Sequence, residues 1–315
     1  MSDAKPPVSV LMSVWNGLPY VRATVESILA QTHKDFEFVI VDNVSTDGTR
    51  EYLREVAATD PRLRLFLNEE NLGHSGGLNR GLAECRGEWI ARIDADDIAL
   101  PERLARQLAF VGENPDVRLA SSLAYYIDAN GRRVGKTFHP LATREIFRRY
   151  FETNEMIGLL HPGAIMDRAL VQRLGGYREA FGAANDIDLW CRIAEASSVI
   201  LVQQERLMEY RVHPGAISNS FYAARIKYEW ARACAIARRS GHTEPTWECF
   251  IADWNTKPLL HRLNRARKTH AKACYRQAGL DYVCGHRLSA AWRFGIATLL
   301  QPAYALRRLA GQNLK

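Results

Sequence analysis

The chain has no apolar run near the roughly 18 residues that a bilayer-spanning helix needs, so no membrane-crossing segment is expected among its 315 residues. Its first seven residues, Met-Ser-Asp-Ala-Lys-Pro-Pro, contain no apolar core of the kind a secretory leader carries, and a cytoplasmic protein is expected. Cysteine is scarce. The six, at 85, 191, 234, 249, 274 and 284, form no Cys-x-x-Cys pair, which argues against a structural zinc and for reduced, mostly buried thiols. The turn after the first apolar run, Trp15-Asn16-Gly17-Leu18-Pro19, lacks the Gly-x-Gly-x-x-Gly of a dinucleotide site. It also has no Lys or Arg before Arg22 to hold a triphosphate. A nicotinamide dehydrogenase and a sugar nucleotidyltransferase are both disfavoured on that ground. No internal repeat or low-complexity tract is found.

Charge is unevenly spread under the net value of +7. Residues 221–315 carry 17 Lys and Arg against 5 Asp and Glu, whereas 1–220 carry 25 against 30. This split divides the chain into an acidic catalytic part, 1–219, and a basic helical region, 220–315.

The first hundred residues alternate between two periods. Strands are expected at Val8–Val14, Phe36–Val41, Arg62–Leu67 and Trp89–Ile93, and helices at Val21–Ala30, Thr46–Ala57 and Gly73–Ala83. Ser45 or Thr46 is the expected cap of the second helix. Such alternation with short links predicts an α/β fold, a parallel sheet covered on both faces, whose ligands bind at the carboxyl ends of the strands. Asn16, Asp42, Asn43 and Asp94 to Asp97 all fall at those ends. Further on, a helix is expected from Pro101 to Glu113, a strand near Val117–Ser122, a hairpin around Asn130-Gly131 and a helix at Ala169–Leu174. Another helix is expected at Asp186–Ala196, then a strand near Val199–Val202, and the segment Met208–Val212 closes this part. Beyond residue 220 only helical periodicity remains, with Pro302 as a break.

The chemistry is concentrated in Trp89-Ile90-Ala91-Arg92-Ile93-Asp94-Ala95-Asp96-Asp97, an apolar run that stops in three carboxylates. Unpaired carboxylates are costly to bury, so these acids must meet water, a metal or a ligand. Oxygen ligands suit Mg²⁺ or Mn²⁺, which commonly bridges carboxylates to substrate phosphates. Trp15 near Asp42 and Asn43 suits a nucleobase and ribose, one group stacking and the others hydrogen-bonding; taken in isolation, Trp15 as core with Asp42 and Ser45 as helix caps is the stronger reading. Asp186 and Asp188 open a helix, and His213 stands in a Pro/Gly loop where it is able to ligate a metal.

Together these segments resemble the family 2 inverting glycosyltransferases, which have the GT-A fold. The matching stretches include Val8-Ser9-Val10 through Trp15-Asn16, Val41-Asp42-Asn43-Val44-Ser45-Thr46-Asp47-Gly48-Thr49, Asn71-Leu72-Gly73 and Asp94-Ala95-Asp96-Asp97. They continue through His161-Pro162-Gly163, Gly175-Gly176-Tyr177, Asp186-Ile187-Asp188-Leu189-Trp190 and Tyr210-Arg211-Val212-His213. The likeness covers about residues 8–219. It implies a GT-A type doubly wound, mostly parallel sheet flanked by helices, here with a C-terminal helical extension. It also implies roles: Trp15 stacks on the base, and Ser13, Asp42 and Asn43 line base and ribose. Asp94 and Asp96 form the Asp-x-Asp motif, Asp94 facing ribose or metal and Asp96 the metal that bridges the diphosphate. Asp186 is the catalytic base, and His213 a late ligand to metal or diphosphate. Asn43 replaces a common Asp that contacts uracil; its amide can accept from a uracil N–H or accommodate another base. His74, Ser75 and Arg80 are further candidates for donor contact.

The expected reaction is inverting transfer from a nucleotide-diphosphate sugar, UDP-linked by preference, to a hydroxyl of a glycan or lipid-linked acceptor in polysaccharide or glycoconjugate synthesis. A metal neutralises the leaving diphosphate. A positioned carboxylate deprotonates the acceptor, and a double displacement would need a second carboxylate as nucleophile. Asp188 is the other candidate, but helical positions two apart diverge. A non-catalytic nucleotide-sugar-binding protein is the remaining alternative. The basic region 221–315 suits an anionic membrane surface on the inner face of the cell membrane. No nucleic-acid motif accompanies its charge, and its apolar helices would serve a homodimer as well.

Overall fold

The computed structural model describes residues 5–196, 199–213, 221–283 and 285–304. Two compact units divide the chain, one of Met1–Ile127 with Gly135–Arg211 and one of Asp128–Val134 with Val212–Lys315. The boundary expected at 219/220 falls within 214–220, which lie outside the described residues.

In the first unit the alternation of strand and helix is realised. β1 (Val8–Val14), β2 (Phe36–Asp42), β3 (Leu63–Leu67) and β4 (Trp89–Arg92) alternate with α1 (Val21–Leu29), α2 (Thr49–Thr59) and α3 (Gly73–Glu84). β1 pairs in parallel with β2 and β4, and β2 with β3. β5 (Ile98–Ala99), α4 (Arg103–Glu113), β6 (Val117–Ile127) and β7 (Arg133–Lys136) follow. Next come α5 (Arg144–Glu152), β8 (Ala164–Asp167), α6 (Arg168–Arg173), α7 (Asn185–Glu195) and β9 (Val199–Arg211). The sheet order is β3-β2-β1-β4-β8-β6-β9-β5. Its first half is parallel. Its second half is mixed, because β8 runs antiparallel to both β4 and β6 while β9 is parallel to β6.

Every residue of β1 and β2 is buried, as a strand covered on both faces must be. Period two sorts β1: Val8, Val10, Met12 and Val14 pack with Val21, Val25 and Ile28 of α1, while Leu11 packs on the other face with Leu78 of α3 and Trp190 of α7. A Cβ at Gly81 would overlap Leu11, so α3 approaches the sheet closely only because glycine stands there.

Three differences from the expected elements have physical causes. α2 starts at Thr49 behind Gly48, whose φ is 93°, and neither Ser45 nor Thr46 caps it. Asp47 Oδ1 accepts from the Thr49 N–H instead, at 3.0 Å, and Ser45 Oγ accepts from the Asn16 N–H at 2.8 Å. The strand expected at Val199–Val202 and the segment 208–211 are one strand, β9: Gln203 still pairs with Ser122, and Gln204-Glu205 form a bulge before the ladder resumes with Arg206 opposite Leu123. β8 and α5 carry too short or too mixed a pattern to stand out in the sequence.

In the second unit α8 (Phe221–Arg239), α9 (Trp247–Thr256), α10 (Leu259–Val283) and α11 (Arg287–Leu300) follow in order. Trp230 Nε1 donates to Pro245 O at 2.8 Å and its ring meets Trp247 edge-on at 5.2 Å, which joins α8 to α9. Asp281 accepts from Ser289 Oγ at 2.5 Å and pairs with Arg293 at 2.8 Å, which joins α10 to α11. α11 stops at Leu300, just before Pro302. Its Leu288, Trp292 and Leu299 are exposed. No helix among the described residues is long and apolar enough to cross a membrane.

Candidate active site

The carboxyl ends of β1, β2 and β4 lie side by side in the sheet, which brings their polar residues to one edge of the first unit. At the end of β4 the three acids take three different roles. Asp94 accepts from Arg92 Nη2 at 2.5 Å; the Arg92 side chain is fully buried, that of Asp94 is 30% exposed. Burial alone would raise the Asp94 carboxyl, but the Arg92 guanidinium outweighs it and holds the acid below the usual range. Asp97 is turned inward and fully buried. Its Oδ1 accepts from the Arg211 N–H at 2.8 Å and its backbone carbonyl from Thr24 Oγ1 at 2.8 Å. Burial, then Asp96 and Asp94, push its carboxyl well above the usual range. Asp96 is half-buried, and its carbonyl accepts from Arg211 Nε at 2.8 Å. The end of β9 thereby fastens the acid loop, and Asp94 and Asp96 both stay partly exposed.

Beneath the acids lies a second buried guanidinium. Arg103 Nη2 donates to Arg92 O at 2.6 Å, and Arg103 Nε to Gln107 Oε1 at 3.0 Å. Burial pulls Arg103 down to about 9, with Asp97 opposing. Beside Asp94, His161 Nε2 is 2.9 Å from Tyr177 Oη, and its ring meets those of His74 and Trp190 edge-on at 6.0 and 5.7 Å. Burial, then the Arg92 charge, lowers both histidines, His74 to about 4, so each is a neutral imidazole at neutral pH.

Asp186 stands at the first turn of α7, half-buried, and its Oδ1 accepts from the Ile187 N–H at 2.7 Å. Burial pushes its carboxyl up to about 6, and the Asp94 charge adds to the rise. Asn185 Nδ2 donates to Ser75 Oγ at 2.5 Å, tying the start of α7 to that of α3. Asp188 points the other way. It is fully buried and paired with both Arg178 and Arg192, whose remaining donors reach Leu174 O and Gly176 O. It holds the 174–192 segment together and is no candidate nucleophile.

The other wall is built at β1 and β2. Asp42 is fully buried and pairs with Arg50 Nε at 2.6 Å, while Arg50 Nη2 donates to Asn68 O at 2.9 Å. Asn43 Nδ2 donates to Ser13 Oγ and to Gly73 O, each at 3.1 Å, and Asn43 Oδ1 accepts from Asn68 Nδ2 at 2.5 Å. A Cβ at Gly77 would overlap both Ser13 Oγ and Asn43 Nδ2, so α3 closes over this pair. Trp15 is 60% exposed and outside the core. It precedes Asn16 (φ 50°), whose Oδ1 accepts from the Thr46 N–H at 2.8 Å.

Ser13, Asp42 and Asn43 are therefore gathered, as are Asp94, Asp96 and Asp186 with His74. Arg80 is exposed on α3. His213 lies two residues past β9, in the second unit. Among the described residues no group of three or more His, Cys, Asp or Glu side chains lies close enough to hold a metal ion. Arg50 carries no sequence signal; Arg92 stands in the run that ends in the acids, and Arg211, His161 and Tyr177 in matching stretches, with no role assigned to any of them. For Arg92 a signal existed, since residues two apart in a strand share a face. For Arg211, more than a hundred residues from the acids it fastens, there was none.

The sheet, with its acids at the end of the fourth strand, is that of a GT-A glycosyltransferase. Comparison with known proteins agrees: the chain belongs to glycosyl transferase family 2, whose model matches residues 9–175. It is 34% identical over 227 residues to an uncharacterised glycosyltransferase of Methanocaldococcus jannaschii, covering 71% of this chain and 75% of that one. Among solved structures, the mannosyltransferase PcManGT of Pyrobaculum calidifontis, in complex with GDP-Man and Mn²⁺, aligns with a TM-score of 0.57 at 22% identity over 98% of this chain and 80% of that one. TarS of S. aureus, in complex with UDP, aligns with a TM-score of 0.56 at 18% identity over 98% and 93%.

Proposed function

We propose that this glycosyltransferase is inverting and metal-dependent, moving a sugar from a nucleotide-diphosphate sugar to a hydroxyl of a glycan or lipid-linked acceptor. The observation that carries the reading is the pairing of two unlike carboxylates at one edge. Asp94 is held ionised by Arg92, whereas Asp186 is raised to about 6. An acid that stays charged suits a cation; one whose pKa lies near working pH suits a general base, typically contributing ~10²–10⁴-fold. Asp188, the other carboxylate of this helix turn, is locked between two arginines, which supports single displacement and inversion.

The donor set fits Mn²⁺ or Mg²⁺. Such ions are commonly bound through one or two carboxylates and the substrate's own phosphates, and Asp94 and Asp96 supply that number. The metal, when bound, offsets the charge developing on the leaving diphosphate. Trp15, exposed beside the site, stacks on the base. Ser13, Asp42 and Asn43 hold its wall from beneath, their polar groups already satisfied by one another, Arg50 and Asn68. UDP is the favoured nucleotide on the resemblance of the strand-end residues, and GDP is the competitor that Asn43 admits. Asp186 takes the acceptor proton as the acceptor oxygen attacks.

Incubation of the full chain with UDP- and GDP-sugars, with Mn²⁺ or with EDTA, tests the reading. Nucleotide release that needs both the metal and one of the two bases is the expected result. Release from neither donor, or equal release in EDTA, overturns it. The exposed Leu288, Trp292 and Leu299 of α11, set in a basic unit, further support attachment to an anionic membrane surface. No flotation of the full chain with anionic vesicles would reject that attachment, and flotation that survives Leu288→Glu/Trp292→Glu would remove α11 from it.

A further inference from the structure

A pocket of about 310 Å³ opens among α8, α9 and α10, wholly within the second unit. That volume lies at the lower end of the ~300–1,000 Å³ usual for small-molecule sites. We propose that it is an anion site for a phosphomonoester or diphosphate group, read by Arg225, Arg232, Arg265, Lys268 and Lys272. The proposal stands apart from glycosyl transfer and does not rest on it.

The charge in the pocket is one-sided. Five cationic side chains line it against one carboxylate, Glu229, which pairs with Arg225 and lies 4.0 Å from Arg232. On α10 the cations at 265, 268 and 272 follow helical spacing and share a face. On α8, Arg225 and Arg232 are seven apart and do the same. Like charges so placed repel and weaken their helices; a bound polyanion relieves that repulsion. A single carboxylate charge would offset too little of it, whereas a phosphomonoester or diphosphate carries more charge and several acceptor oxygens.

Arg265 is built into position. Its guanidinium lies 3.4 Å from the centroid of the Trp254 ring, and its Nη2 donates to Trp254 O at 3.2 Å. One donor of five is thus used to fix the plane of the fork, the geometry that suits phosphate recognition. The same stacking covers a face of Trp254, so the pocket offers no open aromatic platform of the kind on which single-stranded nucleic acid stacks. Phosphate could reach it on a soluble sugar phosphate or on a lipid headgroup.

The experiment compares the full chain with Arg232→Gln/Lys268→Gln, both at exposed pocket positions, and with Arg276→Gln/Arg287→Gln, which removes the same charge from exposed positions outside it. Inorganic pyrophosphate is titrated calorimetrically in metal-free buffer. Flotation uses phosphatidylcholine vesicles with and without phosphatidic acid. Pyrophosphate binding that weakens at least about tenfold in the pocket variant and is kept in the control assigns a soluble phosphate. Phosphatidic-acid-dependent flotation lost only in the pocket variant assigns a headgroup. Absence of both kinds of binding in the wild type, equal loss in both variants, or loss in neither overturns the proposal. Should the double variant fail to fold by circular dichroism, Lys268→Gln alone is read in the same way.

Discussion

Arg92 and Asp94 stand two residues apart at the end of β4, and the fully buried guanidinium donates to the carboxylate across 2.5 Å. One internal cation thereby acts on three titratable groups at this edge. It keeps Asp94 ionised and, after burial, is the main influence that keeps His74 and His161 neutral.

Arg92→Met removes that charge. His74 should then titrate above its value of about 4, though still below an exposed imidazole because burial persists, and Asp94 should titrate higher as well. Proton NMR of the histidine rings reads the shift. An unmoved His74 would show that burial alone sets it.

Asp186→Asn should lower kcat by ~10²–10⁴-fold while nucleotide affinity is kept. In the wild type, kcat/KM should rise with pH through about 6 and level off above, because only the deprotonated carboxylate accepts the acceptor's proton. A flat profile across that range, or a variant with near wild-type kcat, excludes Asp186 as the base.

The same carboxylate strains the fold. Its folded pKa of about 6 lies above the ordinary 3.8, so the folded state favours the protonated form. The stability this confers is full below 3.8 and is lost as pH rises through about 6. Asp186→Asn should therefore be more stable than wild type at neutral pH, by no more than about 3 kcal/mol, and should match it in acid. Urea titrations at the two pH values measure the difference.

Asp188 behaves oppositely. Asp188→Ala strands Arg192 and Arg178, the former almost wholly buried, and should cost about 3–5 kcal/mol. Chemical denaturation of Asp188→Ala beside Asp186→Asn separates the two acids: one variant is less stable and the other more stable at neutral pH.

Trp15→Ala tests the base-stacking role without touching the core, since the side chain is largely exposed. Nucleotide binding should weaken by roughly 1–3 kcal/mol, the range for stacking on an aromatic ring, with an unchanged melting temperature. Calorimetry with UDP and GDP gives the affinity, and an unaltered Kd for both places the base elsewhere.

Periodicity alone determined much of this protein. Period-two runs leading into Asp42 and Asp94, alternating with helical stripes, predicted the parallel half of the sheet and put the acids at its carboxyl edge, because strand and helix repeats are properties of the local backbone. The basic helical character of the last hundred residues was equally plain. Tertiary structure decided which acid does what. Asp94, Asp96 and Asp97 look alike in sequence, yet Asp97 turns inward because Arg211 and Thr24, each at least seventy residues away, supply its loop's partners. Asp186 and Asp188 share one helical turn, yet arginines claim the latter and leave the former. Partner choice among like groups depends on burial and on charges brought close by the fold, and no local repeat in the chain encodes those.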